Sequence, residues 1–277
     1  MKKQEHSLKE EVHILDVKDV SLKLGDNLIL RDINLQVKDV IRPNVVTGQI
    51  YSLIGPSGRG KTQLFKLLAG LNKPTTGTIK LFGKDVKAGD IGVVAQNYPL
   101  FKNRTILSNL EIAASFGKKL SKAEQKDKIE YYLTEFKLSD KAKSYPASLS
   151  GGQDQRIAII QQLLCSEGFI LMDEPFASLD VNMIDIALNT IVKIANLDEL
   201  NTIIIISHDY VSAAAISEVM WFLGLDYDDK GNPIPGSTIK YEEDLMEKGI
   251  AWQYPEIFDE QDFMDFSKKV RKVFATL

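Results

Sequence analysis

The sequence predicts an α/β fold, with a mostly parallel sheet, an N-terminal antiparallel β-subdomain and an inserted helical subdomain. Three observations predict it. Short apolar runs bounded by glycine or polar residues alternate with helical stretches, the pattern of strands buried on both faces. One such run, residues 50–54, ends in a glycine-rich loop that opens a helix. Between Thr105 and Leu164 the strand rhythm gives way to helical composition.

In chain order, residues 1–11 carry Lys2, Lys3, Glu5, Lys9 and Glu10 and are expected to form a flexible, solvated arm. Residues 12–24 and 28–37 read as two strands joined by Gly25-Asp26-Asn27, a hairpin turn signal. Residues 50–54 form a strand and 61–69 a helix. Further buried strands are expected at 79–82, 91–95, 169–172, 202–206 and 219–223. Residues 106–115, 122–137 and 153–164 supply the helices of a subdomain spanning about 103–165. The main domain covers 12–224, and residues 225–277 form a loop and helical extension. In that extension 226–236 is turn-rich, with Gly231, Pro233, Pro235 and Gly236. From Asp259, the helical spacing of Phe263, Phe266, Val270, Val273 and Leu277, with basic Lys268, Lys269, Arg271 and Lys272 late, complements a helix dipole.

Composition excludes several classes. With 277 residues, 44% of them hydrophobic, the chain has enough apolar surface for a real core and is not disordered throughout. A net charge of −4 with the two signs interspersed gives no reason to expect a nucleic-acid partner. Cys165 is the single cysteine, preceded by the apolar 159–164, and reads as a buried, inert thiol in a reducing compartment. No apolar run approaches the roughly 18 residues needed to cross a bilayer, so the chain is not expected to span a membrane itself.

Gly55-Pro56-Ser57-Gly58-Arg59-Gly60-Lys61-Thr62 matches G-x-x-x-x-G-K-[ST] between a strand and a helix, the setting of a phosphate loop and so of a P-loop NTPase core. Glycines let backbone N–H groups turn inward onto phosphate oxygens, and the helix N-terminus adds positive charge. Lys61 would reach the β- and γ-phosphates, and the Thr62 hydroxyl would ligate Mg2+. The apolar strand 169–172 ends in Asp173 and Glu174. At that place Asp173 suits magnesium and Glu174 the attacking water.

Leu149-Ser150-Gly151-Gly152-Gln153 lies 20 residues ahead of Asp173 and opens a helix. A hydroxyl and free N–H groups without side-chain bulk make a second anion-receiving design beside one Walker lysine. With this motif the chain, over about 12–223, resembles the ATP-binding-cassette (ABC) transporter ATPases, whose signature is this pentapeptide.

The resemblance implies a cassette that binds ATP and Mg2+, with two chains sandwiching two nucleotides so that the signature of one faces the phosphate loop of the other. It implies that Gln96 contacts magnesium and the attacking water, that Asp180 in Ser178-Leu179-Asp180 communicates across the dimer, and that His208 bonds the γ-phosphate. His6 and His13 match no such position. It further implies separate transmembrane permease subunits, docked near Gln96, Tyr98, Pro99, Leu100 and Phe101. The cassette is then expected to be peripheral to the cytoplasmic face of the membrane and paired as a homodimer, and a solute-binding protein belongs to such a system if it imports. Tyr98-Pro99-Leu100-Phe101 and 173–180 resemble importer-type more than exporter-type cassettes. Soluble ribosome-acting and DNA-repair relatives carry a second cassette or a coiled-coil insert, neither of which is legible here.

Three departures stand out. Leu24 occupies the position where most cassettes stack an aromatic on adenine, which weakens base selectivity. Residues 39–46 lengthen the link before Gly48-Gln49 and suit a surface loop. The 53 residues from Leu225 are too few and too helical for an appended regulatory β-domain.

Overall fold

The computed structural model describes residues 6–43, 45, 48–95, 100–117, 120–166, 168–177, 179–199 and 201–277. β1 (Ser7–Leu24) and β2 (Asn27–Ile41) form the expected antiparallel hairpin, closed by the Leu24–Asn27 pair and the left-handed Gly25. β4 (Thr76–Leu81) and the short β5 (Lys84–Asp85) extend β1 outward.

The parallel part holds β3 (Gln49–Ile54), β6 (Gly92–Val94), β7 (Phe169–Asp173), β8 (Thr202–Ser207) and β9 (Val219–Tyr227). β3 and β8 bury all six of their residues, as strands covered on both faces must. With β10 (Pro233–Asp244) the strands form one sheet in the order β5-β4-β1-β2-β10-β9-β3-β8-β7-β6. α1 (Lys61–Leu68), α5 (Val181–Ala195), α6 (Tyr210–Ile216) and α7 (Gln261–Phe274) accompany this sheet. α2 (Ile106–Phe116), α3 (Lys122–Glu135) and α4 (Gly151–Cys165) form the helical insert, α2 and α4 sharing its apolar interior through Leu110, Ala113, Ile157 and Leu164.

Several expectations change. Residues 7–11, expected in the arm, belong instead to β1, which pairs Ser7 with Ile41 and Leu8 with Val40; residues 1–5 lie outside the described residues. Ladder bonds use backbone groups, so a charged segment qualifies wherever an edge is offered. The same pairing takes residues 39–41 out of the expected loop and into β2. Arg42 then bridges to Val45 and lays its guanidinium 4.3 Å over the Trp252 ring, fastening this insertion to the C-terminal extension. His6 packs edge-on against the same indole, at 5.6 Å.

The loop expected at 226–236 is a hairpin turn. β9 runs to Tyr227, Asp228 caps the turn by accepting from the N–H groups of Lys230 and Asn232, and β10 starts at Pro233. The extension therefore adds a strand to the central sheet. The run expected at 79–82 stops at Leu81, with Phe82 turning at positive φ and exposed; being near the sheet edge, the strand buries only Ile79. Cys165 is partly rather than fully buried: burial pushes its thiol up, and it donates to the Ala113 carbonyl at 3.2 Å. α7 forms as read, burying Phe263, Phe266 and Val270, while Leu277 packs under Gly224. Among the described residues no helix is long and apolar enough to cross a membrane.

Candidate functional site

β3 delivers the phosphate loop. Gly55 follows directly, in a place where a Cβ would stand 2.6 Å from the Leu223 carbonyl of β9. Gly60 turns at φ +88° against Leu30 of β2 and starts α1 with no side-chain cap, which leaves the helix N-terminus open to a ligand. Ser57 and Gly58 are exposed, Pro56 and Arg59 half-buried. Lys61 is 8% exposed, and its ammonium bridges the loop by donating to the Gly55 carbonyl at 2.8 Å and the Pro56 carbonyl at 3.2 Å. Burial lowers its pKa, and the charges of Glu174 and Asp173 oppose that.

Asp173 closes β7 beside Ile206 of β8. Its carboxyl is raised first by burial and then by the neighbouring Glu174 charge, with Lys61 opposing. Glu174 adopts a positive φ of 50°, rare for a residue with a Cβ, and its N–H is held by the Ile206 carbonyl at 2.7 Å. That turn aims the side chain along β8. One carboxylate oxygen lies 3.7 Å from Lys61 Nζ; the other accepts from Ser207 Oγ at 3.0 Å and the His208 N–H at 3.2 Å, and meets His208 Nδ1 at 2.8 Å. His208 itself stays 58% exposed. Lys61, Asp173, Glu174 and His208 are thus brought together. Thr62 stands beside them with its side chain exposed. Its hydroxyl and the Asp173 carboxyl are the hard oxygen donors that suit Mg2+.

The signature lies apart. Ser150 caps α4, its hydroxyl accepting from the Gln153 N–H at 3.4 Å while Gln153 Oε1 accepts from the Ser150 N–H at 3.0 Å. Gly151 is exposed, and a Cβ there would meet nothing within 4 Å. Gly152 is buried under the Met183 methyl, and Met183 donates its N–H to Asp180, the cap of α5, at 3.0 Å. Among the described residues no hydrogen bond or ion pair joins Ser150–Gln153 to Lys61, Glu174 or His208.

Leu24 is 44% exposed at the end of β1. Gln96, Tyr98, Pro99 and Ser178 lie outside the described residues. Two positioning residues escaped the sequence reading. Ser207 bonds both Glu174 and the Asp209 N–H, and its place in Ser207-His208-Asp209 was the available signal. Gln155 donates from its side chain to the Pro175 carbonyl at 3.2 Å, tying the signature helix to the loop after Glu174, and no sequence pattern marks it.

An uncapped helix at the end of a buried parallel strand, a buried lysine across the loop and a carboxylate pair at the next strand but one define a P-loop nucleotide-binding domain. The family model described as "ABC transporter" matches residues 39–177, half of the sequence. The chain is 35% identical over 210 residues to the sulfate/thiosulfate import ATP-binding protein CysA of Mesostigma viride, covering 73% of this chain and 57% of that one. It is 34% identical over 206 residues to the nitrate import ATP-binding protein NrtD of a Synechocystis strain, covering 73% of each. In fold it is similar to cbiO1 from Clostridium perfringens, part of the ABC transporter complex cbiONQ, with TM-score 0.72 and 21% identity over 96% of this chain and 99% of that one. An ATP-binding cassette solved as a dimer in a post-hydrolysis state with ADP and Pi gives TM-score 0.64 and 26% identity over 83% of this chain and 98% of that one. The chain belongs to the ABC transporter family. It spans about half the length of the CysA proteins it matches.

Proposed function

We propose that the chain is the ATP-hydrolysing subunit of an ABC import system, coupling ATP binding and hydrolysis at a two-chain interface to transport by separate transmembrane permease subunits. The observation that carries this is the Lys61–Glu174–His208 cluster in a chain whose signature serine sits at another, open helix start. The import names of the relatives support the direction, and the dimeric cassette supports the pairing, here of two copies of this chain.

ATP is the substrate. Its phosphates enter the loop 55–62, where Lys61 holds the β- and γ-phosphates and the N-terminus of α1 adds partial positive charge. Mg2+, when bound, neutralises phosphate charge; Thr62, Asp173 and Gln96 are the residues that would hold it. Glu174 accepts a hydrogen bond from the attacking water and takes its proton as the water oxygen bonds to the γ-phosphorus and the bond from that phosphorus to the ADP oxygen breaks. Ser207 and His208 fix the orientation of Glu174, and His208, exposed on its outer side, is free to donate to the γ-phosphate. Ser150–Gln153 of the second copy close the site, and Asp180 links the two. Leu24 packs on the base.

The permease docks near α2. Phe101 ahead of this helix is 52% exposed and Phe116 at its end 80% exposed, and Phe116 lines a cavity of about 560 Å³ with Phe82, Cys165 and Phe169. Exposed aromatics around a cavity are the surface an inserted helix covers. On this reading the chain works at the cytoplasmic face of the membrane, and a solute-binding protein completes the import system.

Glu174→Gln tests the reaction. The variant should bind ATP as the wild type does and lose steady-state hydrolysis by at least about 100-fold. Phosphate release at a near-normal rate from purified variant refutes the role of Glu174.

A further inference from the structure

We propose that the cleft between β2 and β10 is a binding site for a small zwitterion of amino-acid size, and that its occupancy is felt at the phosphate loop. β10 touches β2 through the single pair Ser237–Leu30, beyond which the strands part. The missing ladder is replaced by side chains of β3: the Tyr51 hydroxyl accepts the Lys38 N–H at 3.3 Å, and Gln49 Oε1 accepts the Val40 N–H at 2.9 Å. A cavity of about 390 Å³ remains, large enough for an amino acid.

Its walls carry opposite charge. Strand alternation puts Gln36 and Lys38 of β2, with Lys18 of β1, on one side and Glu242 and Asp244 of β10 on the other. Yet among the described residues no ion pair crosses the cleft. Lys18 is held by Asp16 of its own strand at 2.6 Å, and Glu242 accepts from the Trp221 indole at 2.9 Å. The floor is rigid, since Tyr51 stacks on Trp221 at 4.9 Å. Burial raises the Tyr51 pKa, and the charges of Glu242 and Asp244, which line the cavity, raise it further, so this side presents a negative field suited to an ammonium while Lys38 offers a partner for a carboxylate. The floor and one wall lead to the nucleotide site: β3 continues from Tyr51 into Gly55, and Leu30 of β2 packs on Gly60. A ligand bridging them therefore biases loop geometry, and linkage makes the effect reciprocal.

The test is calorimetric titration of the purified chain with glycine, γ-aminobutyrate and ε-aminocaproate, which step the charge separation, against butyrate and butylammonium. One zwitterion should bind in preference to both singly charged probes and should shift ATP affinity. Lys38→Gln and Glu242→Gln should each weaken it at least about tenfold, and the swapped pair Lys38→Glu with Glu242→Lys should recover binding. Thermal melts confirm that each variant is folded. No heat from any zwitterion, equal binding of butyrate or butylammonium, or unchanged affinity in either single variant overturns the proposal.

Discussion

Lys61, Glu174 and His208 satisfy one another within one chain, whereas the residues of the signature satisfy only themselves. At the phosphate loop the groups come from β3, α1, β7 and the end of β8, and each leans on another element: Lys61 on loop carbonyls, Glu174 on Ser207, His208 on Glu174. At Ser150–Gln153 the capping box closes locally and Gly151 opens on solvent. The first arrangement is held by contacts within one chain. The second is a helix start at which, among the described residues, a Cβ on Gly151 would meet nothing within 4 Å, which is how half of a composite site should look before its partner arrives.

The strongest way to break this contrast is genetic complementation. In a Glu174→Gln background, which removes hydrolysis, Lys61→Ala should fail to dimerise with ATP because both loops are damaged. Ser150→Arg should fail because both signatures are blocked. Mixed together, they rebuild one intact site from the loop of the Ser150→Arg chain and the signature of the Lys61→Ala chain. Light scattering should then report a heterodimer holding about one nucleotide, all or nothing against either protein alone. Permease-bound complexes containing one copy of each variant should likewise occlude ATP. If they do not, while controls with intact lysine and signature do, the signature does not serve a neighbour's phosphates.

A smaller, sharper effect is expected at Gly151. Because a Cβ there meets nothing within 4 Å, Gly151→Ala should leave the isolated chain as stable as before or up to about 1 kcal/mol more stable, alanine being the better helix former. The added methyl should matter only once a partner's phosphates approach, weakening ATP-dependent dimerisation at least about tenfold. Thermal melting and size exclusion separate the two readouts. Wild-type dimerisation in this variant would mean that no ligand comes close to Gly151. At Gly152 the contrast reverses, since its Cβ would meet Met183 inside the chain.

Legibility followed the same division. Phosphate-binding elements are local, a glycine turn between strand and helix or a serine with two glycines at a helix start, so spacing along the chain was enough to find them. What was not legible depends on chain that meets from afar. Glu174 and His208 are separated by the whole of α5 and β8, and only the fold brings them to 2.8 Å, with Ser207 bonded to Glu174 beside them. β10 was hidden because Pro233, Pro235 and Gly236 signal a turn and 242–244 is acidic, yet β9 supplies the ladder that makes it a strand. The start of β1 at Ser7 escaped for the same reason: it follows from β2 running on to Ile41, which backbone pairing fixes and side-chain periodicity does not.

The smallest effect lies at the other end of the nucleotide, where the contrast is between the crowded phosphate end and a sparse base end. Leu24 is 44% exposed at the lip of the β1–β2 turn and, on the proposed reading, would offer methyl groups to a base where an aromatic would stack. An aliphatic contact buries area without regard to ring substituents, so it discriminates poorly between purines. GTP should therefore compete with ATP within about tenfold, a gap of about 1.4 kcal/mol. Leu24→Tyr should tighten ATP binding by on the order of 1 kcal/mol, the gain of aromatic contact beyond area alone. Titration of both nucleotides into both proteins checks the two claims separately. A large preference for ATP in the wild type would show that another residue reads the base, and an unchanged affinity in Leu24→Tyr would show that this side chain faces away from it.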